Sequence, residues 1–137
     1  MHFLKQLLAV AAIAVSAQAA AEPGITDNSI TLGMTSPFTG PNGVYGTDMR
    51  QVIQTYFDQV NKAGGVNGRK INLVALDDGY ETDRAVANTK TLINEKNVFA
   101  LLASYGSSPT TEAMNTVFGP AKVPLVGTIS GAGSLRE

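Results

Sequence analysis

The sequence has 137 residues, no Cys, no Trp and a single His, His2, at its amino terminus. It is 44% hydrophobic and 15% charged, with a formal net charge of -1. That composition excludes intrinsic disorder and lacks the basic footprint that nucleic-acid binding needs. Without Cys there is no disulfide framework, thiolate metal site or cysteine nucleophile. With His2 removed by processing, Ser-His-Asp catalysis and His-ligated zinc fall away too.

Met1 to Gln6 is a short polar start with one cation, Lys5, and Leu7 to Val15 is an unbroken apolar run of nine residues. Small residues follow, and Ala17-Gln18-Ala19 fits the A-x-A cleavage rule, so residues 1–19 read as a secretory signal peptide. Cleavage is expected after Ala19, with Ala21 as the second site. The run is well short of the ~20 residues that span a bilayer. Removal of Lys5 leaves 9 cations against 11 anions, a net charge of -2. No Cys stands near the cleavage site to carry a lipid, which favours free residence in a periplasm, and no direct membrane insertion is expected.

The remaining chain, residues 20–137, reads as one α/β unit. Ile30 to Met34 alternates as a strand, and Thr35 to Gly46 reads as a Gly- and Pro-rich loop. Met49, Val52, Ile53, Tyr56, Phe57 and Val60 then form a helical stripe, with Thr47 or Asp48 placed to cap it and Gly64-Gly65 to end it. Asn67-Gly68 is a tight-turn dipeptide. Ile71 to Leu76 is a second strand closed by Asp77-Asp78-Gly79. Thr82 to Asn94 is a second helix, and Val98 to Ala103 a third strand, apolar enough for burial on both faces. Ser108-Pro109 suits a helix start, with Ser as cap and Pro at the first helical position. That helix ends at Phe118-Gly119-Pro120, and Pro124 to Thr128 is a fourth strand. The alternation predicts a doubly wound parallel sheet. The chain stops near Leu135-Arg136-Glu137, where a fourth helix is expected, so the lobe reads as incomplete.

Open α/β sheets bind ligands beyond the carboxyl ends of their strands. Three Gly- and Ser-rich loops lie there: 36–46, 104–108 and 127–134. Ser107-Ser108 either holds a carboxylate with hydroxyls and helix-end amides, or Ser108 caps the helix and Ser107 is merely exposed. Tyr45 and Tyr105 sit in these loops, where each either packs on a ligand or is half buried. Gly40, Gly43 and Gly46 are spaced by threes and do not make a dinucleotide fingerprint, and no P-loop occurs. Asp77 and Asp78 are strand neighbours that point to opposite faces, which suits turn formation better than a shared ligand. No cofactor and no metal are expected.

Three blocks carry a resemblance: Pro37-Phe38-Thr39-Gly40-Pro41 with Tyr45-Gly46, then Val60 to Ile71 with its N-x-x-GG-V-x-G core, then Asp77-Asp78-Gly79-Tyr80. Over Ile30 to about Arg136 the chain resembles the N-terminal lobe of type I periplasmic binding proteins, in the leucine/isoleucine/valine-binding branch. The resemblance implies a two-lobed, hinge-closing carrier whose second lobe is absent from this chain. It implies an amino acid, or a similar small carboxylate, held by Ser107, by the Ile129 backbone and Gly131, and by Tyr45 near the apolar part, with Ser108 and Ser130 as further candidate ligand residues from their positions in the loops. Amino-acid binders place Thr where this chain has Gly131, so a hydroxyl is lost there unless Ser130 replaces it.

The function implied is the substrate-binding component of an ABC importer. It takes a small-molecule ligand and hands it to a permease in the inner membrane, and it is not an enzyme. The alternative is a periplasmic sensor of the same fold acting on a regulatory partner. Mass spectrometry of the periplasmic protein should show a chain beginning after Ala19 or Ala21. A species retaining Met1 overturns the signal peptide.

Overall fold

A computed structural model describes residues 22–136, so the expected signal peptide and both expected cleavage sites lie outside the described residues. Four strands form one parallel sheet in the order β2-β1-β3-β4: β1 Ser29–Ser36, β2 Lys70–Asp77, β3 Ala100–Leu102 and β4 Leu125–Val126. Helices fill the crossovers, α1 Gly43–Lys62, α2 Thr82–Asn94 and α3 Ser107–Ala113. The chain steps from β1 to β2 on one side, then returns past β1 to β3 and β4 on the other. The strand order therefore reverses between β1 and β3, and a crevice opens there at the carboxyl ends. This is the doubly wound parallel arrangement expected from the alternation.

The main core lies between the sheet and α2 with α3. Leu92, Val98, Leu101, Ala113 and Phe118 are buried together, with Leu76, Val86, Met114 and Leu125 packed around them. α3 continues without a break into a π turn, Met114–Phe118, which carries Val117 and Phe118 into the core. Phe99 is an exception to the burial expected of the third strand, at 37% exposed.

The structure corrects the start of α1. The helix begins at Gly43 after Asn42, and neither Thr47 nor Asp48 caps it. Gly43 and Gly46 belong to its first turn because the preceding loop lies directly on them. A Cβ at Gly43 would come 3.0 Å from the Phe38 carbonyl, and one at Gly46 would overlap the Pro37 carbonyl. The apolar stripe is also wider than the surface available to it. Phe57 is buried, but Val52 and Tyr56 are 69% and 62% exposed. α1 packs on β2, an edge strand, so the Val52–Tyr56 flank overhangs the sheet.

Most positions of the N-x-x-GG-V-x-G block have a structural reason. The Asn61 side chain pairs with the Ile71 backbone like a short strand, Nδ2 donating to the carbonyl and Oδ1 accepting the N–H, both at 2.8 Å. Val66 and Arg69 bridge as a hairpin around Asn67 and Gly68, whose φ angles of 51° and 81° are those of a primed turn. A side chain at Gly65 would overlap the Arg69 carbonyl.

Among the described residues, one buried side-chain group has no partner. The Thr110 hydroxyl is enclosed and makes no hydrogen bond, in a small space shared with Thr35, Asp78 and Ser104. An unmade buried hydrogen bond costs about 1–3 kcal/mol. Thr110→Val removes that cost with little change of shape, and urea denaturation should show a protein more stable than the parent by about 1 kcal/mol. A loss of stability overturns the assignment of an unpaired hydroxyl.

Candidate ligand-binding site

The crevice at the strand ends is built from three loops, after β1, β3 and β4. The first is held by Asp77, the last residue of β2. Its carboxylate accepts the Phe38 N–H at 2.7 Å, the Thr39 hydroxyl at 2.6 Å and the Gly79 N–H at 2.9 Å, and pairs with Arg84 at 3.2 Å. Arg50 lies 4.5 Å over the Phe38 ring, a cation–π contact on the same loop. Asp78 points the other way, as strand neighbours do. Its carboxylate accepts the Thr35 hydroxyl and the Tyr80 N–H, each at 2.9 Å. The two acids thus form the turn and share no ligand. Among the described residues no acidic or imidazole cluster is placed to hold a metal.

The loops after β3 and β4 continue the sheet as a single bridge, Tyr105 to Ile129. The Ile129 N–H donates to the Ser104 carbonyl and the Ile129 carbonyl accepts the Gly106 N–H, both at 2.9 Å. Both polar groups of the Ile129 backbone, expected to face a ligand, are thus bonded within the sheet, and its side chain is half exposed. Beyond the bridge, the Ser107 and Ser130 hydroxyls meet at 3.0 Å. Ser130 Oγ also accepts the Ala132 N–H at 3.0 Å, and its carbonyl accepts from Arg136. Two hydroxyls carry two protons. One is spent between them, so whichever serine donates, one O–H is left for a ligand.

The start of α3 also needs correction. Ser108 is not its cap and Pro109 is not its first residue. Gly106 occupies the cap position with φ 101°, so Ser107 and Ser108 are the first two helical residues. No side chain caps the helix, and Ser108 is exposed. The displacement follows from Gly106: only glycine takes that backbone without strain, and a Cβ there would overlap the Tyr80 ring. The Ser107 and Ser108 amides head the helix, where a first turn has no intrahelical acceptors.

A cleft of about 260 Å³ opens over this pair, lined by Tyr80, Tyr105, Gly106, Ser107, Ile129, Ser130 and Gly131. Of the expected residues it gathers Ser107, Ile129, Ser130 and Gly131. Gly131 faces open space. Tyr45 stands one ring away, stacked on Tyr105 with centroids 5.2 Å apart and planes 9° apart. Ser108 lies beside the cleft and does not line it. Tyr80 was not foreseen. The signal for it is an aromatic residue directly after a strand-ending Asp-Asp-Gly turn. Two larger grooves, of about 530 and 540 Å³, flank α1 on its overhanging side, away from the strand ends.

The family model described as periplasmic binding protein matches residues 29–136. A Leu/Ile/Val-binding protein homologue from Brucella abortus is 32% identical over 75% of this chain and 25% of its own length. The branched-chain amino acid transporter substrate-binding protein LivJ of Streptococcus pneumoniae, solved with isoleucine, superimposes with a TM-score of 0.73. It is 28% identical over 79% of this chain and 31% of that one. A fatty acid ABC transporter substrate-binding protein from Thermomonospora curvata gives a TM-score of 0.70, with 35% identity over 80% of this chain and 27% of that one. The chain belongs to the type I periplasmic binding proteins of the leucine/isoleucine/valine-binding family. It spans roughly a fifth to a quarter of the length of the curated relatives it matches. Membership implies a periplasmic binding role, and no helix of the described residues is long and apolar enough to cross a membrane.

The two acids titrate in opposite directions. Burial opposes ionisation of Asp77, but the Thr39 hydroxyl, the Phe38 and Gly79 amides and Arg84 outweigh it and hold the carboxyl well below the usual range. Burial dominates at Asp78 and raises its pKa, against the bonds from Tyr80 and Thr35. A depressed native pKa gives stability that is full above the unfolded value of about 3.9 and drains as pH falls below it. A raised one gives stability at low pH that is lost as pH rises through the native value. Asp77→Asn should therefore cost about 1–3 kcal/mol at pH 7, with the gap to the parent closing below about pH 4. Asp78→Asn keeps an acceptor for Tyr80 and should be at least as stable as the parent at pH 7. Urea titrations across pH 3–8 check both, and equal pH profiles for the two variants overturn the assignment.

Proposed function

We propose that the protein is the substrate-binding component of an ABC importer, that it holds an amino acid or similar small carboxylate at the Ser107–Ser130 pair, and that it delivers this ligand to an inner-membrane permease. The observation that carries the reading is the pair itself. It places one unspent hydroxyl proton at the switch-point crevice, with two helix-end amides beside it and no anionic side chain in the cleft lining. Ser130 supplies the hydroxyl that Gly131 lacks. In this reading the chain is the carboxylate-binding lobe, and closure of a second lobe over the cleft adds the remaining contacts. The relatives support the carboxylate, since one was solved with isoleucine and another is described as a fatty acid binder.

The reading makes different demands on the two serines. A hydrogen bond to a charged group is worth roughly 1.5–3 kcal/mol, so Ser107→Ala should weaken carboxylate binding about ten- to a hundredfold. Ser108→Ala removes an exposed hydroxyl that caps nothing, and should change stability by less than about 0.5 kcal/mol. Calorimetric titration with leucine and thermal melts of both variants, in the protein as its gene encodes it, separate these effects. Unchanged affinity in Ser107→Ala overturns the anchor.

A further inference from the structure

The cleft has a second chemical character that an aliphatic ligand does not use. Two of the chain's four tyrosines line it, and a third, Tyr45, stacks on one of them. Tyr105 lies between the other two, parallel to Tyr45 and tilted 59° from Tyr80 at 5.8 Å. Tyr80 is 40% exposed and, with Tyr105, lines the cleft that contains Ser107 and Ser130.

The placement of Tyr80 runs against its backbone preference. Its φ is 69°, a left-handed conformation that is a genuine outlier for a bulky residue. Two features hold it there: the Asp78 carboxylate takes its N–H, and its ring lies on the bare Cα of Gly106. Such strain persists only where the surrounding structure over-determines it, and a turn alone would use Gly or Asn at this position. The ring is what the strained backbone delivers.

From this we infer that the ligand is a carboxylate bearing an aromatic ring, with its carboxylate on the Ser107–Ser130 hydroxyls and its ring against Tyr80 and Tyr105. The inference rests on the carboxylate anchor proposed above and adds the class of substrate. A π face is negative and repels a carboxylate, whereas it favours the positive edge of another ring. The two ends of the cleft thus sort the two ends of such a ligand. Its lining holds no charged side chain, so the carboxylate meets neutral donors and the ring meets ring. The free acid and the aromatic amino acid share this chemistry.

Four ligands test it on the protein as its gene encodes it: benzoate against cyclohexanecarboxylate, and phenylalanine against leucine. Within each pair the carboxylate is kept and the ring's aromaticity is varied. An aromatic contact adds a few-fold to about tenfold in affinity beyond buried area. Calorimetry should therefore find benzoate or phenylalanine bound about tenfold more tightly than its saturated counterpart. Whichever pair shows the preference identifies the source as free acid or amino acid. Tyr105→Leu should reduce that preference about three- to tenfold. Tyr80→Asn suits the left-handed backbone, so it should melt no lower than the parent and still lose the preference. If leucine and cyclohexanecarboxylate bind as tightly as the aromatic ligands, and Ser107→Ala weakens them, the anchor stands and the aromatic class is overturned. If none of the four binds, both the anchor and the inference resting on it fail.

Discussion

Two adjacent carboxylates organise the binding end of this molecule. Because neighbours on a strand face opposite ways, Asp77 and Asp78 reach two different sets of groups from one point on β2. Asp77 gathers the loop after β1 through Phe38 and Thr39, and the Asn88 amide donates to its carbonyl. Asp78 reaches inward to Thr35 and back to the Tyr80 amide. The first acid fixes where α1 begins, and with it Tyr45. The second fixes the turn that presents Tyr80. Both tyrosines then meet Tyr105, in the loop after β3, so two of the three rings are set by a single strand end.

The parallel sheet supplies the other half of the constraint. All its carboxyl ends emerge on one side, and the order reversal between β1 and β3 leaves room there. The loops that meet in this space approach one another very closely. Pro37 and Phe38 lie against Gly43 and Gly46, and the Tyr80 ring against Gly106. At these positions glycine is required by contact, and at Gly106 by its positive φ as well. The Ser36 hydroxyl donates to the carbonyl of Ala103, itself at φ 53°, and so ties β1 to the bend that leaves β3.

The element order was legible because periodicity and turn chemistry agree along most of the chain. α2 runs from Thr82 to Asn94 as its pattern indicates. What escaped depends on contacts between distant segments. Gly43 and Gly46 read as loop residues, since nothing local shows that Pro37 and Phe38 pack on them. Ser108-Pro109 is a good local start signal, but Gly106 takes the cap two residues earlier under the Tyr80 ring. Val52 and Tyr56 fit the helical stripe, yet the sheet ends beneath them. The Ser107–Ser130 contact joins residues 23 apart in sequence. Each serine was picked out singly, but their mutual bond and the one proton it leaves free are properties of the folded chain.

Apart from Tyr45 and Tyr80, the residues placed in the blocks that make the chain resemble its family are devices for folding. Asn61 pairs with the start of β2, Asn67-Gly68 turns the hairpin, Thr39 and Phe38 saturate Asp77, and Gly46 admits Pro37. None of these lines the cleft. The cleft is lined instead by Tyr80, Tyr105, Ile129, Ser130 and Gly131, mostly outside those blocks. A frame held by one set of residues leaves the other set free to vary. Relatives that share the frame can therefore be described by ligands as unlike as isoleucine and a fatty acid. Family membership speaks for the frame, and the cleft lining is set apart from it by being drawn mostly from residues outside these blocks.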